Sequence, residues 1–164
     1  MIFVTVGTHT QSFNRLLEEM DKLVGNDKIK EDVIAQIGYS TYEPKNFEWF
    51  RFDTFKRLNK CYKSRIVITH GGGGSILNGL INSKVVIAVP RLKKYGEHTN
   101  DHQVDLVKKL ESNKKIIAVY DIKDLYKTIS NANKMKLIPI DSGKMLEKAI
   151  ERIEMFMKEN IKEA

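Results

Sequence analysis

The sequence predicts an α/β chain: a parallel sheet with helices on both faces. Three observations carry this. Short apolar runs alternate with segments of helical periodicity from one end to the other, the pattern of βαβα units. Val85–Val89 is a continuous β-branched and apolar run, as expected of a strand buried on both faces. Polar or glycine-rich stretches follow three of the strands, at the carboxyl ends where ligands of such sheets bind.

The elements follow in order. Ile2–Val6 reads as the first strand. Gln11–Val24 places Phe13, Leu16, Leu17, Met20 and Leu23 at helical spacing. Asp32–Ile37 and Phe47–Phe52 read as strands, with Pro44 in the loop between them. Asp53–Tyr62 reads as a helix capped by Asp53. Ile66–Thr69 is the fourth strand, Ser75–Asn82 the next helix, and Val85–Val89 the fifth strand, ended by Pro90. Asp101–Leu110 is helical, Lys115–Val119 a strand and Ile122–Asn131 a helix. Ser142–Asn160 reads as a long last helix with Leu146, Ile150, Ile153 and Met157 on one stripe.

With 164 residues, 41% of them hydrophobic and 30% charged, the chain is expected to form one domain, 1–164, around one core. No apolar run has the length of a membrane span, and no secretory signal is read at the N-terminus. The single cysteine, Cys61, excludes an internal disulfide and fits a reducing, cytoplasmic setting. The net charge of +7 suits a phosphorylated substrate, an anionic membrane surface or nucleic acid, or is simply a lysine-rich solvated surface. Because no basic run is interleaved with aromatics, nucleic acid is not the expected partner.

The chemistry concentrates at His70-Gly71-Gly72-Gly73-Gly74-Ser75, between the fourth strand and its helix. Glycines without a Cβ let a ligand approach the backbone, and the helix start offers N–H groups and a positive dipole end, which suit a phosphate. Ser75 either caps the helix or donates to the same anion. The run is neither a P-loop nor a spaced-glycine dinucleotide fingerprint. Gly7-Thr8-His9-Thr10-Gln11, after the first strand, reads as a second wall of the phosphate site, or as a turn with Thr10 as helix cap. After the fifth strand, Asp101, Gln103 and Glu97 suit sugar hydroxyls, unless the segment is only a polar loop capped by Asn100 or Asp101. His98 and His102, four apart, raise the question of a metal, but no third ligand is evident and none is expected. Arg91 either neutralises a diphosphate or is a surface arginine, and Phe52 or Phe55 either borders a base or joins the core. No serine or cysteine nucleophile with supporting context is identifiable.

Thr69-His70-Gly71-Gly72-Gly73-Gly74-Ser75 and the stretch from Pro90-Arg91 to His102-Gln103 resemble the donor-binding half of GT-B glycosyltransferases. The likeness is to the small subunits of two-component enzymes, those of bacterial capsular and exopolysaccharide synthesis and of the eukaryotic dolichol-linked UDP-N-acetylglucosamine transferase. The resemblance implies a Rossmann-like sheet, the glycosyltransferase family 28 C-terminal domain, and a UDP-sugar donor with no other cofactor. It implies that the loop with Gly7, Thr8 and Gln11 and the run of Gly72, Gly73, Gly74 and Ser75 face the diphosphate, that Phe52 and Phe55 border the uracil, and that Gln103, with Asp101 or His102, faces the sugar; His70 and Arg91 are counted with them as substrate-binding residues. Larger relatives hold the ribose with a glutamate where Asn78 stands, so Asn78 or Glu97 takes that task. A membrane-associated partner subunit would bind the lipid-linked acceptor and keep this chain at the inner face of the membrane. His9 or a partner residue would act as base. The last helix either docks on that partner or packs on its own sheet, and self-association is left open. The rival reading is a non-catalytic subunit that stabilises or stimulates a separate active chain.

Overall fold

The computed structural model describes residues 1–82 and 85–139, so the helix expected over 142–160 lies outside the described residues. Six strands, β1 (Ile2–Thr5), β2 (Val33–Gln36), β3 (Glu48–Phe50), β4 (Ile66–Thr69), β5 (Val85–Ala88) and β6 (Ile117–Ala118), form one sheet in the order β3-β2-β1-β4-β5-β6. Every pairing is parallel, with Ile2 opposite both Val33 and Ile66. Among the described residues four helices connect them, α1 (Asn14–Gly25), α2 (Phe55–Tyr62), α3 (Gly73–Asn82) and α4 (His102–Ser112), and α5 (Leu125–Asn131) follows β6. The expected doubly wound α/β architecture is the one observed.

Alternation along the strands assigns the faces. Ile2, Val4, Ile66, Ile68, Val85 and Ile87 pack with Leu16, Leu17 and Met20 of α1 and with Leu125 and Ile129 of α5. Phe3 and Val67 turn the other way onto Cys61 and Tyr62 of α2, and Val86 and Ala88 onto Ile76 of α3 and Val107 of α4. All residues of β1, β4 and β5 are buried, which explains their unbroken apolar character.

The β2–β3 loop is tied down by a carboxylate. Asp21 of α1, buried, accepts from the Tyr42 hydroxyl at 2.7 Å and from the amides of Asn46 at 2.8 Å and Lys45 at 3.0 Å. Burial pushes its pKa up, but these donors outweigh burial and hold it below the usual carboxylate value.

The helix starts differ from expectation: α4 opens at His102 rather than Asp101, and Ile122–Asp124 is a 3-10 turn ahead of α5. α1 begins at Asn14 rather than Gln11, and Thr10 caps nothing, because the carbonyls of Gln11 and Ser12 are taken by Arg91. α2 is capped by Thr54, whose Oγ1 accepts from the Arg57 amide, while Asp53 accepts from the Thr54 amide. α3 begins at Gly73, with Ile76 N bonded to Gly72 O, so Ser75 lies inside the first turn and is not the cap.

The chain runs outward from β1 to β3, then returns to β4 and runs out the other way. The reversal leaves a crevice at the carboxyl ends of β1 and β4, the position at which this topology binds ligands.

Candidate functional site

Two loops meet in that crevice, and the glycines make the meeting sterically feasible. Gly7 follows β1 with φ +73°, and a Cβ there would lie 2.4 Å from His70 Cε1. A Cβ on Gly72 would lie 2.3 Å from His70 Nε2. The His70 ring therefore fills the gap between the β1–α1 and β4–α3 loops. It is buried, and Nδ1 lies 3.4 Å from the Thr5 carbonyl. Burial, then the charge of Arg91, lowers its pKa to about 4, so the ring is neutral at pH 7.

Gly74 is different: a Cβ there meets nothing within 4 Å. Packing does not require glycine at this position. The amides of Gly73, Gly74 and Ser75 precede Ile76, the first residue to donate within α3, and so have no intrahelical partner. They open on a cleft of about 340 Å³ that runs from Gly7 and Thr8 across these glycines to Asn78, Asn59 and Phe55, with Gln36 and Tyr62 also in its lining. Thr5 supports the floor: its hydroxyl donates to Gln36 Oε1 at 2.8 Å and accepts from the Gly7 amide at 3.2 Å. The Tyr62 phenol also stands in this lining, its pKa raised by burial. The result is a pocket of amide donors, hydroxyls and one exposed aromatic ring, Phe55, at a positive helix end.

Behind the loops sits Arg91, 0% exposed. Its guanidinium donates to four main-chain carbonyls: Nη1 to Gln11 at 2.6 Å, Glu97 at 3.0 Å and Ser12 at 3.4 Å, and Nη2 to Val6 at 2.8 Å. Burial lowers its pKa to about 10, which leaves it charged at pH 7. Glu97 turns its carboxylate to Arg15 in a two-pronged pair at 2.8 and 2.9 Å and to the Leu92 amide at 2.9 Å. Arg15 also donates to the Pro90 carbonyl. Arg91 thus fastens the β1–α1 loop, and Arg15 the start of α1, to the β5–α4 loop.

The glycosyltransferase family 28 C-terminal domain matches residues 1–159. The chain belongs to this family. The UDP-N-acetylglucosamine transferase subunit ALG13 of Mus musculus is 31% identical to it over 121 residues, and that of Homo sapiens 33% over 119, each match covering 66% of this chain. The chain spans about a tenth of the length of these two relatives. The structure of Acinetobacter baumannii MurG superimposes with a TM-score of 0.54 at 14% identity, over 80% of this chain and 42% of that one, a likeness of fold alone.

Within this family 28 domain the structure brings together Gly7, Thr8, Phe55, His70, Gly72, Gly73, Gly74, Ser75 and Asn78 around one cleft. The other expected residues stand elsewhere. Arg91 is neither a surface residue nor aimed at the cleft as a diphosphate counter-ion, since carbonyls take both its terminal nitrogens. Glu97 is not free for a ribose, because Arg15 holds it. Asp101 spends Oδ1 on the Lys93 amide, and Gln103 Oε1 accepts from the Arg91 amide at 3.4 Å. Gln11 and Glu97 line a neighbouring cavity with Arg15 and Tyr95. Phe52 leaves the cleft to Phe55 and packs edge-on against Tyr39. His98 precedes α4 and His102 opens it, exposed, so the two share no helix face. Among the described residues no group of three or more His, Cys, Asp or Glu side chains could hold a metal ion.

His9 does not present a free base. Its Nδ1 accepts the Gln11 amide at 3.2 Å, so the neutral ring carries its proton on Nε2 and acts as a donor. Burial, then His98 and Arg91, lower its pKa.

Gln36, Leu58, Asn59 and Tyr62 were not singled out in the sequence. Gln36 ends β2, and the same strand-end rule that selects Gly7 applies to it. Leu58, Asn59 and Tyr62 share with Phe55 one face of α2 at helical spacing, a signal that periodicity carries but that reads as core packing.

Proposed function

We propose that this chain binds the UDP-sugar donor of a hexosyltransferase, with UDP-N-acetylglucosamine the leading donor, and acts with a separate membrane-associated subunit that binds a lipid-linked acceptor. The observation that carries the reading is Gly74 in the first turn of α3: a glycine that packing does not need, among unpaired amides, at the switch point of the sheet. Membership of the family and the likeness to a transferase subunit support it. The diphosphate lies on the amides of Gly73 to Ser75, with the Gly7-Thr8 turn as the facing wall. Phe55 borders the base and Asn78 the ribose.

Transfer breaks the bond between the anomeric carbon and the UDP oxygen as the acceptor hydroxyl attacks. The charge that grows on the leaving diphosphate is met by fixed amide dipoles, which need no reorganisation as the bond breaks. Because His9 uses its Nδ1 lone pair on a main-chain amide, the base that takes the acceptor proton is assigned to the partner. Together 1–164 act as one donor-binding domain. Among the described residues no helix is long and apolar enough to cross a membrane, which fits attachment through a partner.

Calorimetric titration with UDP, UDP-N-acetylglucosamine, UDP-glucose, UDP-galactose and UDP-glucuronate, with ADP as control, tests the reading. Uridine-selective binding that is weakened by Ser75→Ala is the expected outcome. Equal affinity for ADP and UDP, or none for either with the partner present, would overturn it.

A further inference from the structure

His9 of the β1–α1 loop and His98 of the β5–α4 loop lie outside the donor cleft, with ring centroids 4.8 Å apart and planes tilted by 35°. Both are built the same way. In each, Nδ1 accepts the amide two residues further on: Gln11 N at 3.2 Å to His9 and Asn100 N at 3.3 Å to His98. A neutral ring so bonded keeps its proton on Nε2. Each therefore presents an N–H donor, and neither offers a metal ion a free lone pair.

The charges around them are unbalanced. Arg91 is wholly buried and close enough for its charge to act on His9; among the described residues no carboxylate forms a salt bridge with it, and the Glu97 carboxylate, which favours its charge from nearby, is bonded to Arg15. Glu97 gives Arg91 only its main-chain carbonyl and turns its carboxylate to Arg15. Asp101 turns to the Lys93 amide. His70, on the β4 side, is neutral, and His102, on α4, is exposed. Lys93 and Lys94 stand exposed on the same loop as His98. Arg91 and Arg15 thus share one carboxylate, and an anion placed on the two rings offsets the positive charge left over. A phosphate fits better than a carboxylate: it has more acceptor oxygens for the two N–H groups and, as a dianion, enough charge to draw a proton onto a ring.

We propose that His9 and His98 form a phosphoryl-binding subsite, separate from the donor cleft, that receives the phosphate group of the acceptor. The word acceptor rests on the donor reading above; the subsite itself does not.

The chain has four histidines, so ring Cε1–H resonances are assigned by single substitutions. The full chain is titrated with inorganic phosphate and with farnesyl phosphate, each with saturating UDP present. The His9 and His98 signals are expected to move together, their titration midpoints to rise by about one pH unit, which is tenfold in coupling, and farnesyl phosphate to act at lower concentration. His98→Gln is expected to weaken the phosphate response of His9 about tenfold at an unchanged unfolding temperature. Signals that stay still, or that move only when UDP is absent, would overturn the subsite. Equal potency of the two probes would remove the acceptor from it. UDP calorimetry on the same sample reads the donor cleft by itself, so a failure of the donor reading shows there and not in the histidine signals.

Discussion

Substituting Gly74 by Ala separates packing from ligand contact. Gly74 is exposed in the first turn of α3, has no positive φ, and a Cβ built on it meets nothing within 4 Å. In the unliganded chain Ala costs nothing in contacts and restricts the unfolded state, a gain of about 0.5–1 kcal/mol. For a chain of this length that raises the unfolding temperature by about 1–4 °C. The same methyl opens on the cleft, where it holds a phosphate oxygen away from the amides. Losing one hydrogen bond to a charged group costs about 1.5–3 kcal/mol, or roughly a 10- to 150-fold weaker Kd. Thermal unfolding without ligand and calorimetry with UDP measure the two effects on one sample. A more stable variant with undiminished UDP affinity would refute the placement of the diphosphate. Gly7→Ala is the control with the opposite sign. Its Cβ would meet His70 at 2.4 Å, and its φ is +73°. Left-handed strain of about 1–2 kcal/mol and overpacking of about 1–3 kcal/mol then destabilise the chain whether or not ligand is present.

Arg91→Met removes the donor for the carbonyls of Val6, Gln11 and Glu97 and is expected to cost about 3 kcal/mol or more, read as a lower urea midpoint, with Arg91→Lys between it and wild type. His70 binds its proton only near pH 4 in the folded chain against an ordinary value of 6.5, so between those values the unfolded chain holds the extra proton and stability falls as pH drops. The full effect is about 3 kcal/mol, and urea midpoints between pH 7 and 4 are expected to lose this slope in His70→Asn. Asp21 works at lower pH: its depressed pKa contributes stability that is complete above the ordinary carboxylate value and is lost as pH falls through the folded value. Asp21→Asn is expected to lower the midpoint at pH 7 and to flatten that acid limb.

The sheet was legible because β1, β4 and β5 are buried on both faces and so cannot contain polar residues apart from Thr5 and Thr69 at their ends. The walls of the cleft were legible for a related reason: glycine runs and strand ends are local in sequence. Arg91 and Glu97 were not, because their roles are set across the chain. Arg91 reaches carbonyls 79 to 85 residues away, and Glu97 meets Arg15 82 residues away. In sequence a buried arginine that holds carbonyls looks the same as one that holds phosphate, since both tasks use the same donors. The start of α1 was missed for this cause too: Gln11 to Phe13 have helical periodicity, but Arg91 claims the carbonyls that would accept the first bonds. Asp53 and Thr54 are both good caps, and only the backbone turn decides between them.

One consequence unites the cleft and the loops behind it. Among the described residues the cleft lining has no cationic side chain: it has glycines, hydroxyls, side-chain amides, apolar and aromatic groups and a neutral His70. Positive potential comes instead from the α3 terminus and from Arg91, whose charge is fixed in place by four carbonyls and cannot swing out to follow a departing ligand. Fixed dipoles and a buried charge are weakly screened by salt, unlike surface lysines. In the proposed reading they would hold a diphosphate without a flexible side chain that must be ordered at each turnover. The same fastening makes the β1–α1 and β5–α4 loops one unit. A ligand that moves Gly7 must therefore pull on the loop that carries Glu97 and His98, so that in the proposed reading the acceptor subsite is mechanically joined to the donor cleft.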